Sequence, residues 1–161
     1  MKENIEIRKQ LLESVEMLSD EQLNRKASDD SWSIVQVLDH LYLMESKLVK
    51  LMTRTVKEPP GELTPDKPIH LTIDRSRKFN APAHFIPSNE FTSLDEMKQK
   101  LNHSRNSLIE FVEQTKDLNL VDKGMPHPVF GQINLKQWVP FIGLHEKRHL
   151  EQINEIKKTL K

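Results

Sequence analysis

Apolar residues recur at helical spacing in four separate stretches of the chain. Ile5, Ile7, Leu11, Leu12, Val15 and Leu18 mark the first, and the polar Ser19-Asp20 separates it from the next. The second opens at Ser33, whose spacing to Gln36 makes a capping box, and it sets Val37, Leu41, Met44, Leu48 and Leu51 on one face as far as about residue 56. Ser93 and Glu96 open a third in the same way, with Leu94, Met97, Leu101, Leu108 and Phe111 along one side until the pattern fades near Lys116. Asn134 is placed to cap the fourth, with Gln137 three residues on. Pro140 inside that helix removes one backbone hydrogen bond and predicts a bend.

From Lys57 to Glu90 no period survives, and six of the nine prolines fall there. So long an irregular segment is uncommon within one domain and predicts either a functional loop or a crossover between distant helix ends. The run HLTI inside it reads as a short strand, and VDKGMPHPVFGQIN before the last helix reads as a loop. Four amphipathic helices with one short link and two longer ones predict an all-α four-helix bundle. It forms a single domain over residues 1–161, with a long crossover loop between helices two and three.

Composition narrows the partners. With 24 basic and 24 acidic residues among 161, the formal charge is zero, so no global field draws nucleic acid or anionic lipid. Cysteine is absent, which excludes disulfides, thiolate metal sites and cysteine nucleophiles, and leaves histidine and carboxylate as metal ligands. The N-terminal MKENIEIRKQ has no hydrophobic core, and no apolar run approaches the roughly 20 residues that span a bilayer, so a cytoplasmic protein is expected.

The last helix carries the most informative pattern. Trp138, Ile142, His145, His149, Ile153, Ile156 and Leu160 form one continuous face, apolar except for the two histidines. Both imidazoles therefore point inward, where an unpaired polar group costs roughly 1–3 kcal/mol. One metal ion satisfies both, because side chains four apart on a helix lie on the same side. The bland alternative is a pair of structural histidines, each hydrogen-bonded in the core.

HEKRH also fits the H-E-x-x-H signature of metalloproteases, with Glu146 as the base. The extended form of that motif needs a further histidine downstream, but those positions are Gln152 and Glu155, and only twelve residues follow His149. Protease activity is thus a weak alternative, and Glu146 reads as a flanking residue that at most orients a ligand. A third ligand must come from upstream, among His40, His70, His84, His103 and His127. His40 is the best placed, at the edge of the apolar face beside Val37 and Met44. His103 lies off its helix's apolar line, and the other three fall in loops.

These residues resemble the DinB/YfiT-like family of four-helix-bundle metalloproteins along nearly the whole chain. DDSWSIVQVLDHLYLME is similar to the family's second-helix segment with its single metal histidine, here His40. IDRSRKFNAPAHFIP is similar to its crossover, and HPVFGQINLKQWVPFIGLHEKRHLEQI to its last helix with the pair His145 and His149. The resemblance implies a divalent transition metal, zinc, nickel or iron in different members, held by His40, His145 and His149 with positions left open. Three protein ligands with an open position is also the catalytic rather than the structural arrangement. Relatives include transferases and isomerases that use low-molecular-weight thiols such as bacillithiol or mycothiol, and metal-dependent hydrolases; a bound ion can activate either a thiol or water.

The expectation is therefore a metal-dependent enzyme acting on a small molecule, most simply a thiol S-transferase of bacillithiol type or a related hydrolase. The alternative is a noncatalytic bundle that binds metal or a small ligand. The catalytic residues beyond the metal set are not identified. Arg75, Arg77 and Lys78 are candidates for holding a carboxylate-bearing thiol or substrate, although such clusters are more often solvated. Glu45 is rotated away from His40 and is expected to pair with a neighbouring helix, while Trp32 and Trp138 are expected to pack in the core or wall a cavity. Apolar area left on the helices also permits a homodimer.

Overall fold

The computed structural model describes residues 1–76 and 79–160. It contains five α-helices: α1 (Lys2–Val15), the short α2 (Asp20–Asn24), α3 (Ile34–Thr55), α4 (Leu94–Thr115) and α5 (Leu135–Thr159). The four long ones form a four-helix bundle, and β1 (Gly124–His127) and β2 (Gly131–Asn134) make a small antiparallel hairpin at the entry to α5. Both expected capping boxes are formed. Ser33 Oγ accepts from the Gln36 amide at 3.3 Å, and Ser93 Oγ accepts from the Glu96 amide at 3.3 Å. A third, from Ser19 to Gln22, opens α2 within the stretch read as a polar separator.

The apolar core falls into two clusters, and their membership gives the direction of each helix. One holds Leu11 and Val15 of α1, Val37 and Leu41 of α3, Met97 and Leu101 of α4, and Ile153 and Ile156 of α5. The other holds Leu48 and Met52, Leu108 and Phe111, and Trp138, Phe141 and Ile142. Chain numbers rise from the first cluster to the second along α3 and α4, and fall along α5. So α3 and α4 are packed neighbours that run parallel, while α5 runs against them. Parallel neighbours cannot be joined by a tight turn, and returning along a 22-residue helix means spanning about 33 Å. Residues 56–93 make that return, which accounts for the long proline-rich segment.

The crossover is fastened to both helices that it passes. On α5, Gln137 exchanges hydrogen bonds with the backbone of Lys67 at 2.8 and 2.9 Å, and Arg148 donates to the carbonyls of Thr72 and Asp74. On α3, Gln36 donates to the Ser88 carbonyl at 3.1 Å, Asp39 accepts from the Ser88 amide at 3.1 Å, and His40 bonds the Phe85 carbonyl.

Several local expectations are corrected. HLTI forms a 3-10 turn, Ile69–Ile73, and not a strand, because it has no strand to pair with and instead buries Ile69 against α5. The second loop holds the β1–β2 hairpin, in which Met125 pairs with Ile133 and both are buried, with Gly131 supplying the left-handed turn residue at φ 70°. Leu51 and Ile5 are exposed; on α3 the places in the core go to Val49 and Met52.

Gly143 marks where α1 presses closest on α5. A Cβ there would lie 2.9 Å from Asn4 Oδ1, and Asn4 is buried and bonded to the Val139 carbonyl at 2.8 Å, so it cannot swing aside without losing that bond. Gly143→Ala is expected to destabilise the protein by about 1–2 kcal/mol, although alanine is the better helix former by about 1 kcal/mol. Urea unfolding checks this, and the same substitution in an Asn4→Ala background should be neutral or stabilising.

Candidate metal centre

His40 lies nearly two turns into α3 and is buried; His145 and His149 lie one turn apart on α5. A ring nitrogen from each comes within 4.8 Å of the other two. Ring centroids are 5.4 Å apart for His40 and His145, 4.9 Å for His40 and His149, and 4.5 Å for His145 and His149. The Nε2 atoms of His145 and His149 are 3.2 Å apart. Two nitrogens held about 2.1 Å from one ion are separated by roughly 3.0–3.4 Å, so this spacing fits a shared ion.

Two of the three outer ring nitrogens are engaged. Nδ1 of His40 is 2.8 Å from the Phe85 carbonyl oxygen, and Nδ1 of His149 is 2.7 Å from Gln152 Oε1. Both partners are acceptors, so each Nδ1 carries the proton and each Nε2 keeps its lone pair. That is the tautomer a metal ligand needs.

Burial pushes all three imidazoles below their ordinary value. His149 falls to about 3, with the charges of His40, Arg75 and Arg148 adding to the effect against the Gln152 hydrogen bond. His145 falls well below, by burial and then by His149, His40 and Arg148. His40 falls by burial, partly offset by the Phe85 carbonyl and Asp39. The folded chain thus holds the rings neutral, the form that ligates metal.

The same shifts set a pH dependence for the metal-free protein. The unfolded histidines protonate near 6.5, so below that pH the unfolded state binds more protons than the folded one. Stability is intact above about pH 6.5 and falls as the pH drops below it. For His149, with its folded pKa at about 3, the loss reaches roughly 2 kcal/mol by pH 5. Urea unfolding of EDTA-treated protein at pH 7 and pH 5 measures it, and His149→Leu should weaken the dependence.

Aromatic rings wall the cluster. Trp32 lies 5.0 Å from the His40 ring, Phe85 stands edge-on to it at 6.5 Å, and Phe141 stacks beside His145 at 6.1 Å. Trp138 is buried against Phe141 at 5.0 Å, nearer the start of α5. Among the described residues no other histidine joins the three. His70, His84 and His103 are exposed. His127 packs among Phe130, Trp138 and Phe141, and its Nδ1 accepts from the amides of Val129 and Phe130 at 3.1 and 3.2 Å. Arg75 is held by Glu155 at 3.0 and 2.6 Å, while Arg77 and Lys78 lie outside the described residues.

Beside the histidines lies a polar group in which Glu45 and Glu146 meet two arginines that no sequence motif marks, Arg8 and Arg105. Arg8 of α1, Glu45 of α3, Arg105 of α4 and Glu146 of α5 form a closed ring of four buried charges, one from each long helix. Arg8 Nη2 meets Glu45 at 3.0 Å, Arg105 Nε meets Glu45 at 2.7 Å, Arg105 Nη2 meets Glu146 at 2.6 Å, and Arg8 Nε closes the ring on Glu146. Burial alone would lower the Arg8 pKa, but Glu146 and Glu45 outweigh it and hold it above its ordinary value. The ring stands between the two apolar clusters, and a small cavity lined by Arg8, Leu41, Met44, Ile142 and His145 adjoins it. Glu45 pairs across to other helices, as expected. Glu146 meets no histidine among the described residues: its two oxygens accept from Arg8 and Arg105, an ion-pair role in place of the general base of an H-E-x-x-H protease.

Comparison with known proteins agrees with this architecture. The family model described as the DinB superfamily matches residues 5–153. YuaE of Bacillus subtilis (strain 168), an uncharacterized protein, is 40% identical over 143 residues, covering 89% of this chain and 88% of its own. Two solved structures share the fold, each with a TM-score of 0.65. TT2238, a four-helix bundle protein, is 21% identical, the match covering 96% of this chain and 94% of that one. YfiT from Bacillus subtilis, a probable metal-dependent hydrolase with an unusual four-helix bundle topology, is 17% identical over 98% of this chain and 83% of its own.

Proposed function

The chain belongs to the DinB superfamily, and from that membership and its converging histidines we propose a divalent-metal-dependent enzyme acting on a small molecule, with His40, His145 and His149 as the ligands. The observation that carries the proposal is the approach of three neutral imidazoles to within 4.8 Å, two of them with the outer nitrogen already bonded. The description of YfiT as a probable metal-dependent hydrolase supports the same class. An ion bound there would supply a Lewis acid that lowers the pKa of a thiol or of water.

Between thiol transfer and hydrolysis, the surroundings favour the thiol. Glu45 and Glu146 are committed to arginines, and Asp39 is held by Lys100 at 3.2 Å and by the Ser88 amide. None of these carboxylates is left to act as a base toward the site. A thiol, with a pKa near 8–9, needs far less help to ionise than water does. A thiol S-transferase, with a bacillithiol-type cosubstrate, is therefore the preferred reading, and a cytoplasmic setting suits it. No helix among the described residues is long and apolar enough to cross a membrane.

The test is a turnover screen on protein of known metal content, pairing bacillithiol, glutathione or coenzyme A with an electrophilic acceptor. Thiol consumption that requires the metal supports the transferase. Ester or amide hydrolysis without any thiol reaction removes it in favour of a hydrolase, and metal uptake with neither activity leaves the noncatalytic metal-binding bundle.

A further inference from the structure

We propose that Gln152 is a positioning residue of the metal centre, and that its uncharged amide leaves the centre with a surplus positive charge that an anionic ligand from outside the chain neutralises. The inference rests on the metal-centre reading above and adds the chemical class of what binds there.

Gln152 lies three residues beyond His149 on α5, on the adjoining turn, and its Oε1 takes the Nδ1 proton at 2.7 Å. This bond fixes both the tautomer and the rotation of the His149 ring, so that Nε2 faces His145 at 3.2 Å. Metal-bound histidines lean outward on carboxylates or on carbonyls, and a carboxylate there returns negative charge to the ion through the ring. In this chain neither outer acceptor is charged: His149 has the Gln152 amide, and His40 has the Phe85 backbone carbonyl at 2.8 Å.

Among the described residues, the remaining charges near the cluster are matched with one another and do not make up the deficit. Arg75 and Arg148 act on His149 with positive charge, Asp39 acts on His40 with negative charge, and Asp74 and Glu155 act on Arg148 in turn. Glu155 is engaged by Arg75, Asp39 by Lys100, and the Glu45–Glu146 pair is matched by Arg8 and Arg105. Three neutral imidazoles around a dication therefore keep its full charge in a largely buried setting, where uncompensated charge is costly. An anion at an open position, such as a thiolate, a carboxylate or an inorganic anion, relieves that cost, and a neutral ligand does not.

The experiment uses the full-length, untagged protein loaded with Co(II), whose visible spectrum reports the coordination sphere, with azide as the anionic probe and imidazole as the neutral one. Gln152 is only partly buried, so Gln152→Leu and Gln152→Glu are expected to fold, which circular dichroism verifies. Gln152→Leu should weaken cobalt binding by about 10–100-fold, the usual effect of removing an outer partner of a ligand. Gln152→Glu should restore or exceed the wild-type cobalt affinity while weakening azide at least about threefold, with imidazole unchanged. Normal cobalt uptake with unchanged affinity in Gln152→Leu, or azide binding in Gln152→Glu equal to wild type, overturns this inference and leaves the metal centre standing. Failure of the wild-type protein to take up cobalt overturns the metal centre itself, and this inference with it.

Discussion

Replacing His149 with alanine is expected to lower the affinity for a divalent transition metal by more than about 100-fold, beyond the 10–100-fold that loss of an outer partner costs. The removed ring is the one whose Nε2 stands 3.2 Å from that of His145 and whose orientation is fixed by Gln152. What remains is a two-histidine chelate between helices, without the third direction that closes the coordination sphere. The fold should survive, because alanine is a good helix former and the flanking Ile142, Ile153 and Ile156 keep α5 packed. His40→Ala should behave alike, although it sits on a different helix more than a hundred residues away in sequence. Elemental analysis of untagged protein reads the outcome: about one equivalent of metal in the wild type and a small fraction in both variants, with unchanged helical signal. A full equivalent retained in either variant would sink the three-histidine assignment.

The second large effect concerns stability. Arg105→Met is expected to destabilise the fold by about 3–5 kcal/mol, since removing one member of a buried ion-pair group leaves charge without compensation. Arg105 supports more than the ring: besides Glu45 and Glu146 it donates to the Asn4 backbone carbonyl, tying α4 to α1. For a chain of this length that loss corresponds to a fall in Tm on the order of 10 °C. Exchanging all four charged residues for apolar ones of similar volume should recover most of the stability, because the desolvation cost goes with the charges. Thermal and denaturant unfolding of the single and the fourfold variant decide it. A single variant as stable as wild type would mean that the ring contributes nothing.

The two polar features of the interior were unequally legible in the sequence, for a physical reason. His145 and His149 interrupt an otherwise apolar stripe on one helix, so their inward direction follows from spacing alone. The charged ring uses the same device on four helices: Arg8 follows Asn4 and precedes Leu11 and Val15, and Glu45 falls between Leu41 and Leu48. The position of Glu45 predicts a partner on a neighbouring helix, but Arg8 and Arg105 taken singly look like surface residues near the edge of a stripe, and only the convergence of all four at one height shows what they do. Helix limits were readable because capping residues act locally, which is why Ser33, Ser93 and Asn134 mark them well. The course of the crossover and the β1–β2 hairpin depend on contacts distant in sequence, such as Gln137 with Lys67 and Met125 with Ile133, and no local pattern encodes these.

The bond from His40 to the Phe85 carbonyl makes the crossover a party to whatever occupies the histidine cluster. Residues 84–89 are fastened to α3 by this bond together with those from Lys47 and Gln36. If an ion occupies the cluster, its binding and order in this strap are thermodynamically reciprocal: a ligand that lifts the strap would loosen the ion, and the ion would steady the strap by the same factor. Slower amide exchange and slower protease nicking around residues 84–89 on metal loading would be the visible sign of that exchange.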